Sequence, residues 1–430
     1  KLSLRRRTYN MQTQEIKHSK SAVLGLQHLL AMYSGSILVP IMIAGALGYS
    51  TKELTYLIST DIFMCGVATF LQLQVNKYFG IGLPVVLGVA FQSVAPLSII
   101  GAKLGSGAIF GSIIVSGLIV ILISGFFSKI RKFFPPLVTG SVITTIGLTL
   151  IPVAIGNMGN NIPKPELSSV ILAVVTILVI LFIHAVTTGF IRSIAILIGL
   201  IIGTVVAAFM GVVDFSPIAQ APLIHIPTPF FFGKPIFDFS SILMMTIISL
   251  VSMVESTGVY LALSDITGDE ISETRLRNGY RAEGLAVALG GIFNTFPYTG
   301  FSQNVGLVQL SGIKTRRPIF YTAGFLVILG LLPKFGACAQ IIPAPVLGGA
   351  MLVMFGMVTI QGIRMLGRVD FNNEHNLLIA AMAVASGVGF SGTTLFQALP
   401  DTVEMFLNNG IVMATLVAII LNLIFNRGQD

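Results

Sequence analysis

Pro297-Tyr298-Thr299-Gly300-Phe301-Ser302-Gln303-Asn304-Val305-Gly306-Leu307-Val308-Gln309-Leu310-Ser311-Gly312 is too short and too polar to cross a bilayer as an ordinary helix, yet its neighbours are hydrophobic segments long enough to do so. In lipid, non-helical backbone survives only where protein or a water-filled cavity surrounds it. A broken, amide-bearing segment at that depth marks a candidate solute site.

The composition makes the membrane setting firm. Of 430 residues, 54% are hydrophobic and only 10% charged, and the mean hydropathy is +0.91, whereas soluble domains average about 25% charged residues. The net charge of +8 does not point to nucleic acid, because the basic residues are spread through short connecting loops and form no patch. Cys65 and Cys338 fall in apolar segments without ligand spacing, so they are expected in the core, with no disulfide and no metal site. Nothing at the N-terminus resembles a cleaved signal, and the first hydrophobic stretch is expected to be retained as a helix.

With about 20 apolar residues per spanning helix, crossings fall near 22–48, 54–75, 106–127, 135–156, 168–188, 193–213, 240–263, 281–296, 318–333, 341–363, 375–391 and 408–426. The short stretches 84–100 and 297–312, interrupted by glycine or proline, bring the total to fourteen. Charge alternation tests that number. With the N-terminus inside, inner loops hold twenty Lys and Arg, among them Arg5, Arg6, Arg7, Lys129, Arg131, Lys132, Arg275, Arg316 and Arg427, and outer loops hold only Lys52, Lys103, Lys164, Lys234 and Lys334. The positive-inside rule predicts that asymmetry, and dropping either short segment ruins it.

An internal repeat divides the chain the same way. Pro136, Gly140 and Gly147 share the spacing of Pro345, Gly349 and Gly356 at an offset of 209, while Pro84 matches Pro297 at an offset of 213. An odd number of crossings per half inserts the second half upside down. The fold class is therefore an all-α polytopic membrane protein: fourteen transmembrane segments in two inverted repeats of seven, with two short strand-plus-half-helix segments. The boundaries are a cytoplasmic tail 1–21, a first repeat 22–213, an extracellular linker 214–239, a second repeat 240–426 and a cytoplasmic tail 427–430. Residues 214–237 and 264–280 are expected to be solvated linkers.

In inverted repeats, paired interrupted segments are the best pointer to a midplane binding site. Ionisable side chains at that depth cost roughly 2.5–3.5 kcal/mol on insertion scales, so each is a functional hypothesis. Glu255 lies mid-helix in Ser249-Leu250-Val251-Ser252-Met253-Val254-Glu255-Ser256-Thr257-Gly258, where Gly258 leaves room for a close neighbour and no Lys or Arg lies at the same depth. Gln27 and His28 form a polar pair in the first helix; Asp61 and His184 are weaker candidates. Glu283 opens the helix before the Gln303 segment, where taken alone it would complement the helix dipole. Nucleotide loops, HExxH, Cys/His clusters and GxSxG are all missing from the sequence, so no catalytic residues are assigned and the chain is not read as an enzyme.

The Glu255-Ser256-Thr257-Gly258 helix, the Gln27-His28 pair and the run Gly291-Ile292-Phe293-Asn294-Thr295-Phe296-Pro297, followed by Phe301-Ser302-Gln303-Asn304, resemble the nucleobase/ascorbate transporter family over essentially the whole chain. The resemblance implies a core domain that holds substrate and a gate domain against which it moves. It implies that Glu255 and Gln303 bind the base, that Asn304 supports them, and that backbone groups of Phe91, Gln92 and Ser93 complete the site. His28 and Glu283 match positions important for transport. Phe91 could also stack on a flat ring. The family's dimers imply a homodimer.

The chain departs from many relatives at Val259, where they carry Asp or His, and at Ser311, where Thr is common. Val259 removes an obvious proton partner, so coupling would fall on Glu255 with His28 or Glu283 in support. The expected function is import of an oxidised purine base across the cell membrane, xanthine first and urate second, by proton symport with alternating access and no cofactor besides the proton. The alternatives are a uracil or other nucleobase permease and an anion transporter of the same plan.

Overall fold

The structure, a computed structural model, describes residues 17–130, 135–312 and 314–426. The basic residues Lys1, Arg5, Arg6, Arg7, Arg131, Lys132 and Arg427, the side chain of Lys129, and the tails 1–16 and 427–430 lie outside the described residues.

The chain is mostly helical. Among the described residues seven helical stretches are long and apolar enough to span a bilayer, or nine if each of two bent pairs counts as one span. It is a multi-pass membrane protein. The first stretch is α1 (His18–Ser36) running into α2 (Leu38–Leu47). α3 (Thr51–Leu73) opens on a capping box in which the Ser50 side chain accepts from the Glu53 amide and the Ser50 amide donates to Glu53; such caps contribute on the order of 1 kcal/mol.

At the centre lies the only β-structure among the described residues. β1 (Leu87–Val89) and β2 (Tyr298–Gly300) pair antiparallel, with Gly88 opposite Thr299. Each is three residues long, and the flanking backbone extends the pairing: Ala90 N donates to Pro297 O and Phe301 N to Val86 O, both at 2.9 Å. Side chains satisfy other groups, with Leu87 N donating to Thr69 Oγ1 and Gly300 N to Ser256 Oγ. Strands at membrane depth are stable only when their polar groups are met in this way. Gly88 is required by the packing, since a Cβ there would lie 2.8 Å from Phe301 Cδ2.

Both strands hand over to helices. β1 leads through a 3-10 turn (Phe91–Ser93) into α4 (Val94–Leu104), and β2 leads into α13 (Ser302–Ser311). Between them in sequence come α5 (Ser106–Ile130), α6 (Pro136–Met158), α7 (Leu167–Val186), the single turn α8 (Gly189–Ser193), α9 (Ala195–Phe209), the short α10 (Ser216–Gln220), α11 (Phe239–Thr267) and α12 (Glu273–Ile292). The chain ends with α14 (Arg317–Gly330), α15 (Pro333–Gln340), α16 (Ala344–Leu366), α17 (Glu374–Phe390), α18 (Asp401–Leu407) and α19 (Gly410–Phe425).

α6 and α16, each of 23 residues with Pro in its first turn, approach backbone to backbone. A Cβ on Gly362 would lie 2.8 Å from Gly140 O, and one on Gly147 would lie 2.6 Å from Thr359 N. Small residues at such crossings let helices gain dispersion contacts that lipid cannot supply.

Several sequence expectations need correction. Residues 264–280 are not a solvated linker: α11 continues to Thr267 and α12 begins at Glu273. The turn between them is pinned, because Arg275 makes a bidentate pair with Asp269 at 2.7 and 2.9 Å and donates to Ile81 O. Charge density disguised these helical ends as loop. The 214–237 connector is mostly exposed, as expected, and is anchored at two points: Phe231 stacks on Tyr56 with centroids 3.8 Å apart, and Ile236 N donates to Gly107 O. The 318–333 and 341–363 stretches are interrupted differently, since α15 bends from α14 by 79° at Pro333. Cys65 is buried as expected but Cys338 is exposed. Gly258 faces open space rather than a close neighbour.

Candidate functional site

α11 carries the central group. Its N-terminus is fixed by Asp238, whose carboxylate accepts from the Ser241 amide at 2.8 Å; the Ser240 hydroxyl and then the Ser241 amide hold that carboxyl below its usual pKa. Four turns on, Glu255 is half-buried. Its Oε2 accepts from Gln92 Nε2 at 3.0 Å and from Thr299 Oγ1 at 3.3 Å. Gln92 also donates to Ser252 Oγ, one turn before Glu255, at 2.9 Å. Oε1 accepts no hydrogen bond among the described residues. The broken segments thus hold the carboxylate from both sides, one through the 3-10 turn and one through β2.

Glu255, Gln303, Gln92 and Phe91 line one narrow cavity with Thr299, Phe301 and Ser302. Its opposite wall comes from α6 and α16: Ile143, Ile146, Val358 and Gln361. Gln303 is exposed, and Gln361 Nε2 donates to the adjacent Ser302 Oγ at 3.1 Å. A carboxylate acceptor, an amide with both donor and acceptor, an aromatic edge and aliphatic walls suit a flat ligand with N–H and C=O groups on its rim.

The other predicted residues sit elsewhere. Ser93 is fully buried behind the cavity, its hydroxyl donating to Ala90 O at 2.6 Å. Asn304 is also buried, and its amide donates to His28 O at 3.2 Å; Gln27 is half-buried in the same turn of α1 and does not line the cavity. Glu283 lies ten residues into α12 and is 2% exposed, so it does not open its helix, and the dipole reading fails. Its Oε2 accepts from Tyr260 OH at 3.0 Å. Val259 packs against β2, 3.1 Å from where a Cβ on Gly300 would stand. Asp61 is fully buried under β2, with Tyr298 OH 3.4 Å from Oδ1. His184 is exposed.

Sequence reasoning missed Gln361, Thr299, Ser252 and Gln72. Gln72 deserved the attention given to deep ionisable groups, because a fully buried amide in a spanning helix carries a similar cost; it donates to Tyr260 OH and Gly279 O. Gln361 gave no signal, being one polar residue near a helix end.

A larger cavity, of about 740 Å³ with open solvent included, lies between the connector and α3, lined by Thr55, Tyr56, His225 and Phe231. None of the predicted residues line it. Among the described residues, no three His, Cys, Asp or Glu side chains gather as a metal-holding group.

The sequence profile Xan_ur_permease, a permease family, matches residues 19–396. The chain belongs to this family, the nucleobase/ascorbate transporters. It is 51% identical over 411 residues to the xanthine permease of Bacillus subtilis (strain 168), covering 95% of this chain and 94% of that one. Over the same length it is 51% identical to the uric acid permease PucK of that organism, covering 95% and 96%. Against the uric acid transporter UacT of Escherichia coli (strain K12) the identity is 40% over 420 residues, covering 95% and 87%. As a nucleobase/ascorbate transporter family member, the chain is a transporter and not an enzyme.

Its fold is shared beyond the family. The transmembrane domain of a cyanobacterium bicarbonate transporter, BicA, superposes with a TM-score of 0.62 at 14% identity, covering 94% of this chain and 97% of that one. The structure of SLC26A9 gives 0.62 at 13% identity, covering 95% and 66%.

Proposed function

We propose that this family member imports an oxidised purine base across the cell membrane, xanthine first and urate second, by proton symport with alternating access. The observation that carries the reading is the shared cavity of Glu255, with Oε1 unengaged among the described residues, and Gln303. Xanthine and urate present imide N–H donors beside carbonyl acceptors. A carboxylate accepts from the former, and a primary amide pairs with both. Analogues lacking these groups would leave the site's own polar atoms unpaired, which is how such a site rejects them. The relatives named for xanthine and uric acid support the substrate class.

The place of the cavity supports a cycle of alternating access. Its polar wall belongs to α11, the 3-10 turn, β2 and α13, and its aliphatic wall to α6 and α16. Movement of the first group, the core, against the second, the gate, would open the cavity to alternate sides. Fourteen segments in two inverted repeats of seven account for the antiparallel strand pair and the equal, Pro-led α6 and α16. In this arrangement both termini are cytoplasmic, and the family resemblance makes the protein a homodimer.

Labelled xanthine uptake into cells tests the reading. Glu255→Gln is expected to abolish uptake, and normal uptake by that variant rejects the assigned role. A protonophore should collapse uptake; unchanged initial rates reject proton coupling. Competition by sulfate or bicarbonate, with no effect of purines, would favour an anion carrier. The acidic side chain of half-buried Glu255 at the cavity argues against one.

A further inference from the structure

The face of α11 that carries Glu255 is covered in one direction and bare in the other. Toward the outer end of the helix, Met244, Ile248, Val251 and Ser252 recur on that face at helical spacing, and all are buried, none above 5% exposed. Toward the inner end, Gly258 and Asp265 are exposed and Ala262 is half-buried. The two half-helices repeat the contrast. Outward-running α4 is buried or half-buried until its last turn, where Ala102, Lys103 and Leu104 emerge. Inward-running α13 exposes Gln303, Gly306, Gln309 and Leu310, and nothing lies within 4 Å of a Cβ placed on Gly306. In this conformation the polar wall of the cavity is covered toward the outside and uncovered toward the inside.

What covers it on the outer side includes an ion pair. Lys103 Nζ, in the last turn of α4, donates to Glu404 Oε2 of α18 at 2.6 Å. The two side chains are 37% and 17% exposed, so the pair is partly shielded from water. Glu404 is itself oriented, its Oε1 accepting from Asn408 Nδ2 at 3.3 Å. The adjacent Asn409, which caps α19, puts Nδ2 4.0 Å from Met244 Sδ on the covered face of α11.

These partners belong to opposite walls. α4 continues directly from the 3-10 turn that carries Gln92, so it moves with the polar wall. α18 runs into α19, which is fixed to the aliphatic side through α17: a Cβ on Gly410 would collide with Gly387 O, and one on Gly387 would lie 2.5 Å from Thr145 Cγ2 of α6. Sliding one wall past the other must therefore separate Lys103 from Glu404.

We propose that Lys103 and Glu404 form a latch at the outer rim, made while the cavity faces inward and parted before it can face outward. This inference rests on the alternating-access reading above. Neither residue lines the cavity, so the pair acts on the balance between conformations and not on the substrate. An interaction made in one state alone shifts that balance by its full free energy.

Thiol labelling from outside the cell tests the latch. In a Cys338→Ser background, which removes the exposed native thiol, Val251→Cys places a reporter on the covered outer face, and a membrane-impermeant maleimide is applied to intact cells. Labelling is expected to be slow in this parent and to quicken about two- to fivefold in Lys103→Met and in Glu404→Gln, the worth of a partly exposed ion pair. Glu404→Lys, which sets two cations against each other, should label at least as fast, and adding Lys103→Glu to it should restore slow labelling. Unchanged rates in the single variants overturn the latch, as does a reversed pair that labels as fast as Glu404→Lys alone. The underlying reading fails differently. If the Val251→Cys parent is never labelled from outside, while a Gly258→Cys reporter on the uncovered face labels in permeabilised cells, alternating access is refuted; a measurable parent rate that the latch variants leave alone refutes only the latch.

Discussion

The side-chain amide of Asn304 donates to the backbone carbonyl of His28 across 3.2 Å, tying the half-helix after β2 to the first membrane helix. Neither side chain lines the Glu255 cavity. In the proposed function Asn304 would therefore act on substrate through the placement of Gln303, its neighbour in sequence. Asn304→Ala should raise the xanthine KM by roughly fivefold, the worth of one neutral hydrogen bond. Gln303→Ala, which removes a group of the cavity wall, should cost clearly more. Concentration series of initial uptake rates compare the two, and equal effects would place Asn304 in contact with the substrate.

Gln92 makes a charge-assisted hydrogen bond to Glu255. Such bonds contribute about 1.5–3 kcal/mol, so Gln92→Ala should weaken xanthine binding by about tenfold or more. The measurement is equilibrium binding to purified protein. Tighter binding would mean that Gln92 competes with the substrate for the carboxylate.

Gln361 reaches Ser302 from the aliphatic wall. Because it is exposed to the cavity, Gln361→Ala should leave the thermal midpoint within a degree or two, surface substitutions being worth within about 0.5 kcal/mol. Relative inhibition by xanthine, urate, guanine, hypoxanthine and uracil should shift, and an unchanged competitor profile would remove Gln361 from recognition.

α6 and α16 meet through glycine. Gly362→Ala forces a Cβ to within 2.8 Å of Gly140 O, and overpacking of this kind typically costs about 1–3 kcal/mol. The variant should show a lower thermal midpoint and reduced yield of folded protein. Gly324→Ala, with no atom within 4 Å of the added Cβ, is the matched control.

Asp238 caps α11 outside the membrane span. Its carboxyl pKa is lowered in the folded protein, so its contribution is present above the unfolded value of about 3.9 and lost as pH falls through the folded value. Asp238→Ala should therefore lower the thermal midpoint at neutral pH, with the deficit shrinking on acidification through the carboxylate range. Loss of such a cap costs about 1 kcal/mol. A deficit independent of pH would assign the cap to geometry alone.

The sequence by itself determined the setting and much of the site. Hydropathy required a membrane, and amides inside a segment too short to span required a break, because lipid offers no partner for free backbone. The polar composition of 297–312 therefore announced both β2 and α13, and the lack of any cation near Glu255 marked that carboxylate. Helix ends rich in charge were misread, since Arg275 and Asp269 pair with each other and with the chain instead of meeting water. What only the tertiary structure decided is which polar groups touch. Gln92 and Thr299 reaching Glu255, Asn304 reaching His28, and Gln361 facing Ser302 all depend on residues far apart in the chain. Hydropathy and spacing fix how deep a residue lies in the membrane and the periodicity of its helix, but the strand register and helix rotation that set these contacts come from packing among segments.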